Sequence, residues 1–304
     1  MAIISSSPAS HSHDILFGVT FALLAAIGFS AKAILVKLAY VYHVDAVTLL
    51  ALRMAFAAPI FLILALWQGR NKKSTSLDRK DWLSVIGLGL LGYYLSSLLD
   101  FLGLQYISAS LERLILFLYP TIVIVLSALI YGHRITGKAI TAMALSYAGI
   151  ALAFMHDVTI AQKGVLLGAS LVFASTISYA FYLIGAGRAI AKIGAMRFMA
   201  YAMTVASVAT LLQFIVIHPL AALKQPVQVY ELGIALAIFS TILPSFFLAA
   251  GIRRIGSART SLIGSVGPVA TIFMAHFFLG ETISALQIAG SILVLAGVLI
   301  ISIG

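Results

Sequence analysis

Residues 107–153 read ISASLERLILFLYPTIVIVLSALIYGHRITGKAITAMALSYAGIALA, and residues 255–301 read IGSARTSLIGSVGPVATIFMAHFFLGETISALQIAGSILVLAGVLII. Laid over one another at a shift of 148 positions they align without a gap, with 11 identities in 47 positions. The pairs Pro120/Pro268, Gly132/Gly280 and Gly149/Gly297 weigh most, because proline and glycine mark backbone geometry and not mere apolarity. At a shift of 150, Gly18 pairs with Gly168 and Phe29 with Tyr179, a weaker match between the opening spans of the two copies. The chain is a duplication.

Working outward, a bilayer-spanning helix needs about 20 mainly apolar residues. Ten such stretches can be marked, at 16–38, 46–67, 82–104, 108–131, 138–155, 164–186, 194–217, 230–252, 258–279 and 284–303. With 62% hydrophobic residues, 9% charged residues and a mean hydropathy of +1.12, the composition cannot supply a water-facing surface. Each copy holds five spans, and an odd number forces the second copy to enter the membrane from the opposite side. The expected fold is therefore all-α and polytopic, ten transmembrane helices in two inverted five-helix repeats. The expected divisions are a cytoplasmic tail over 1–15, a first repeat over 16–157 and a second over 158–304. Met1–Asp14 is polar and lacks the basic start of a signal peptide, so the first apolar run is expected to be retained.

Lysine and arginine set orientation through the positive-inside rule. Arg70, Lys72, Lys73, Arg79, Lys80, Arg134, Lys138, Arg188, Lys192, Arg197, Arg253, Arg254 and Arg259 fall on alternate connections. The opposite side offers Lys163 and Lys224, with Lys37 at a helix end. That 13-to-3 bias places both termini in the cytoplasm, and the short loops suit a bacterial-type inner membrane. It also explains the net charge of +10 without a nucleic-acid partner. The glycine spacing of GLGLLG at 87–92 lies inside an apolar run with no preceding strand, so it cannot form a dinucleotide loop. No cysteine, metal-ligand spacing or nucleophile elbow is present, which leaves no basis for an enzyme, a metal or a cofactor.

Charge inside the membrane is where function is sought, since each charge costs about 2.5–3.5 kcal/mol at a helix centre on insertion scales. Lys32, Arg53, Asp100, Glu112 and Arg113 are the ionisable residues away from the span ends, and all belong to the first repeat. Four of them lie four to seven residues from the external end, about 6–10 Å deep at 1.5 Å per residue. Two accounts stay open. Asp100 with Arg53 or Arg113, and Glu112 with Lys32, could be ion pairs that only fix packing. Alternatively the five line a site for a zwitterion, with Asp100 or Glu112 exchanging a proton.

Tyr93, Ser96, Ser97 and Asp100 form one polar stripe, and Ser175, Ser178, Tyr179 and Tyr182 form another at helical spacing. Tyr93, Ser97, Tyr179 and Tyr182 are the candidate lining. Pro120, Pro244 and Pro268 within spans are candidate hinges.

Three motifs resemble a known family. LQYISASLER at 104–113, running on to Tyr119-Pro120, resembles the fourth-helix signature of the EamA-like family in the drug/metabolite transporter superfamily. GSART at 256–260, continuing through Pro268 to Gly280-Glu281, resembles its second-half counterpart, and Arg53 in LRMA (52–55) is similar to that family's second-helix arginine. Gly132-His133-Arg134 departs from the family's acidic-then-basic order. The resemblance implies a ten-helix inverted-repeat carrier that exports amino acids or other small metabolites. The expected partners are a small-molecule substrate, lipid and protons as the coupling ion, with monomer and homodimer both open. The alternatives are an exporter of lipophilic cations or drugs, and a membrane scaffold that transports nothing.

Overall fold

The structure, a computed structural model, describes residues 8–70, 77–132, 134–159 and 163–303. Lys72, Lys73 and His133 lie outside these residues, as does the start of the expected tail. Eight helices are long and apolar enough to cross a membrane: α1 Ile15–Tyr40, α2 Ala46–Gly69, α3 Arg79–Gly103, α4 Ala109–Tyr131, α5 Gly137–Met155, α6 Val165–Ile193, α7 Ala195–Ile217 and α8 Val227–Gly256. Two shorter apolar helices complete the ten, α9 Val266–Leu279 and α10 Ala285–Ile300. The helix carrying α1 reaches back to Pro8. Among the described residues there is no strand.

Packing follows the duplication. α1 lies against α8 and α9, while α6, its counterpart, lies against α3 and α4. α2 contacts α8, and α7 contacts α3; α2 meets α7, α4 meets α9 and α5 meets α10. Every one of these contacts maps onto another, or onto itself, when each helix is exchanged with its counterpart five spans away. The molecule is thus a pseudo-twofold arrangement of inverted repeats.

Backbone irregularities recur at the same shift of 148. α3 contains a π-helical turn at Leu90–Leu95, and α8 contains one at Ile238–Ile242. α4 is broken after Leu116 and restarts at Tyr119, and residues 257–264 precede α9 with a break at Ser265. α4 and α9 each end on a left-handed glycine, Gly132 (φ 70°) and Gly280 (φ 67°), a conformation glycine adopts without a Cβ penalty. Pro120 and Pro268 therefore do not kink continuous helices. They occupy the first turn after each break, where a missing N–H costs nothing.

Close approach of backbones explains the glycine pair Gly149/Gly297. A Cβ on Gly149 would meet the Gly290 carbonyl, and one on Gly297 would meet Ser146 and the Ala142 carbonyl. With lipid on all sides there is no hydrophobic drive between helices, so α5 and α10 are held by this close small-residue contact.

Candidate functional site

Lys32 on α1, Arg53 on α2, Asp100 on α3, and Glu112 and Arg113 on α4 all belong to the first repeat, with Arg113 reaching α9 of the second. Lys32 Nζ lies 2.5 Å from Asp100 Oδ2 and 3.1 Å from Glu112 Oε1. One ammonium bridges two carboxylates that are 2% and 0% exposed, which is how two buried acids coexist. The geometry decides between the two pairings open above. Asp100 goes to Lys32 and not to either arginine, and Glu112 shares the same lysine.

Neither arginine forms an ion pair among the described residues. Arg53 stands 5.3 Å over the Phe101 ring, and its Nη2 donates to Ser97 Oγ at a long 3.5 Å. Arg113 is seated against Gly267 of α9, where a Cβ would fall 2.7 Å from its Nη2. Ser30 Oγ beside it donates to the Gly267 carbonyl at 2.9 Å. Arg53 Nε and Nη1, Arg113 Nε, Asp100 Oδ1 and both Glu112 oxygens are buried without a hydrogen-bond partner among the described residues. Glu112 Oε1 reaches Lys32 at ion-pair distance only. Buried polar groups are ordinarily satisfied, so this concentration of unmatched donors and acceptors singles the cluster out as the candidate site.

Below this cluster, toward the expected cytoplasmic side, the tyrosines form a floor. Tyr93 OH and Tyr182 OH are 2.9 Å apart, with rings edge-on at 5.1 Å. Tyr179 stacks on Tyr182 at 5.5 Å, Tyr119 meets Tyr179 edge-on at 5.8 Å, and Phe198 stacks beyond Tyr182 at 6.2 Å. Tyr182 is buried, and the glycine at 92 leaves room for its ring against α3. Tyr119 joins the candidate residues here without having been singled out from sequence; its signal was a phenol one residue before the proline of the fourth-helix motif.

The serine stripe of α6 has a different job. Ser178 Oγ donates to the Leu91 carbonyl at 2.8 Å, and Ser175 Oγ donates to the Ser96 carbonyl at 2.7 Å. These carbonyls lie in and just after the π-helical turn, where the regular i→i−4 ladder is interrupted. In α8, Ser240 Oγ and Thr241 Oγ1 both donate to Leu236 O, and Ser245 Oγ donates to Thr241 O, around Pro244. These hydroxyls satisfy the backbone, and their place is structural.

A duplicated bundle of ten apolar helices defines the class of multi-pass membrane proteins. The chain belongs to the EamA-like transporter family, whose profile matches residues 16–155 and again 166–303. It is 30% identical to the uncharacterized transporter YcbK of Bacillus subtilis over 90% of this chain and 88% of the relative. It is 27% identical to the S-adenosylmethionine/S-adenosylhomocysteine transporter of Chlamydia trachomatis, over 76% of this chain and 72% of that one. A crystal structure at 19% identity shares the fold with a TM-score of 0.63, covering 96% of this chain and 98% of the other.

Proposed function

We propose that this protein is a secondary carrier that exports a small metabolite, an amino acid or related zwitterion, by alternating access. It would do so across a bacterial-type inner membrane with both termini in the cytoplasm. The observation that carries the reading is the cluster itself: one buried and two part-buried cations against two buried carboxylates, contributed by four helices, with unmatched donors and acceptors side by side. A zwitterion presents a carboxylate to Arg53 and Arg113 and an ammonium to Asp100 and Glu112. Tyr93, Ser97, Tyr179 and Tyr182 would bound its uncharged part. Inverted repeats supply two similar half-structures able to exchange conformations around such a site.

A proton on Asp100 or Glu112 would release Lys32 from one of its two partners, which links protonation to occupancy. The name of the chlamydial relative fits the same chemistry, because S-adenosylmethionine ends in an α-amino acid and carries a purine able to stack on tyrosine. A lipophilic-cation exporter would prefer an exposed carboxylate without nearby bases; here both acids are buried, and the unmatched donors of Arg53 and Arg113 beside them favour a substrate that also brings a carboxylate.

The test is thermal stabilisation of purified protein by a panel of α-amino acids, S-adenosylmethionine and lipophilic cations. Stabilisation by a zwitterion, lost in R113A, is expected. Stabilisation only by lipophilic cations, or by nothing in the panel, would overturn the reading. In proteoliposomes, D100N should reduce pH-driven flux of the stabilising compound while the protein stays folded; an unchanged pH dependence would remove Asp100 from proton exchange.

A further inference from the structure

The charged cluster lies close to the corner joining α3 to α4, on the expected external side, where Leu104, Ile107, Ala109 and Ser110 close it over. There a single carboxylate ties the two repeats together. Glu281 follows the end of α9, where Gly280 N–H donates to His276 O at 3.1 Å and Glu281 N–H donates to Ala275 O at 3.2 Å. This doubly closed helix end fixes the Glu281 backbone to α9. The His276 ring adds a further contact, with Nδ1 2.9 Å from Glu281 O.

The side chain crosses to the start of α4. Glu281 Oε1 accepts from Ala109 N–H at 2.8 Å, and Oε2 accepts from Ser110 Oγ at 2.8 Å and Ser110 N–H at 3.4 Å. The first N–H groups of a helix have no partner within it, and negative charge is favoured there. Ser108 Oγ accepts from Leu111 N–H at 3.0 Å. Glu281 thus supplies acceptors that α4's own repeat does not provide for its first two residues. Ala109 and Ser110 are 0% and 1% exposed, and Glu112 and Arg113 follow within one turn. Separating α9 from α4 at this end would strip the cap and uncover the cluster from outside.

The duplication makes the device one-sided. At the shift of 148, Glu281 corresponds to His133, and Ala109 and Ser110 correspond to Ser257 and Ala258. The sequence places a carboxylate at one of the two equivalent corners only. We propose that Glu281 is the latch of the external mouth, holding α9 on α4 while the cluster is closed to that side. The proposal rests on the transport reading for its purpose, since a mouth matters only if it opens.

Its test reads accessibility and not flux. The chain contains no cysteine, so S97C places a unique thiol beside Arg53. Its reaction with a membrane-impermeant, positively charged methanethiosulfonate is timed from each face of oriented vesicles, with and without changes at the latch. E281A should speed external labelling by on the order of tenfold, as expected when charge-assisted hydrogen bonds are lost. E281Q should do nearly as much, because its amide nitrogen opposes the Ser110 N–H. S110A, which removes one donor and keeps the two backbone ones, should give a smaller rise and keeps the test open if E281A does not fold.

Unchanged external labelling, a rise from the cytoplasmic face alone, or an equal rise from both faces would overturn the latch. A ligand panel without any stabilising compound would instead sink the transport reading and leave the labelling result standing.

Discussion

Lys32 and Asp100 are joined at 2.5 Å across α1 and α3, and the same ammonium holds Glu112 of α4 at 3.1 Å. Three helices of the first repeat are thus pinned by one lysine. Removing a single partner from such a group strands charge in a medium that cannot solvate it.

Lys32→Met should therefore lower stability by about 3–5 kcal/mol, read as thermal unfolding in detergent. The double change Lys32→Met with Glu112→Gln should recover part of the loss, since one stranded carboxylate is then gone. Equal stability of Lys32→Met and the unaltered chain would show that the carboxylates do not depend on the lysine.

Ser178→Ala removes the hydroxyl donor the Leu91 carbonyl has at 2.8 Å and leaves it only the Ser96 N–H. Loss of one of the two hydrogen bonds costs about 0.5–1.5 kcal/mol, so stability should fall by that amount. Hydrogen exchange within 90–95 should quicken more than in the middle of α2. No change in exchange there would mean that the π-helical turn does not rely on α6.

Gly149→Ala puts a methyl against the Gly290 carbonyl, and overpacking at such a contact costs about 1–3 kcal/mol. Gly187, in a helix interior with nothing within 4 Å of a Cβ, is the contrast. Gly187→Ala should be stabilising by about 0.5–1 kcal/mol. Matching effects at the two positions would remove close backbone approach as the reason for the Gly149/Gly297 repeat.

Asp78 begins α3 outside the membrane and is held below its ordinary value of 3.8, first by the Asp81 N–H and then by Lys192 at 3.4 Å. A carboxylate depressed in the folded state contributes stability at neutral pH, and loses it as pH falls below about 4 through the lowered folded value. Asp78→Asn keeps a helix-capping oxygen and loses the titration. Its stability between pH 7 and pH 3, followed by thermal unfolding, should fall less steeply than that of the unaltered chain. Identical slopes would assign the acid sensitivity elsewhere.

The candidate site was half legible from sequence. Lys32, Arg53, Asp100, Glu112 and Arg113 stand out one by one because a charge in an apolar run is costly wherever it points. Their partners were not legible, because partner choice depends on how three helices rotate and tilt against each other. The stripe by itself does not separate roles: Ser175 and Ser178 share a helical face with Tyr179 and Tyr182, yet the serines serve backbone carbonyls of α3. Nothing in LLGYYL (90–95) announces a π-helical turn, since it contains no proline and its one glycine is common in membrane helices. Glu281 was visible only as part of a motif, for the donors it accepts from lie 172 and 171 residues away.

Ten apolar runs, a gapless repeat at 148 and a lopsided placement of lysine and arginine were enough to specify helices, duplication and an expected orientation. These are properties of single segments meeting lipid, where burial of backbone polar groups leaves a helix as the available form. What tertiary structure alone decided is which charge meets which, where backbone bonds are broken and mended, and that one glutamate bridges the two copies. Those outcomes depend on distances of a few ångströms between segments far apart in the chain, and local composition carries no information about them.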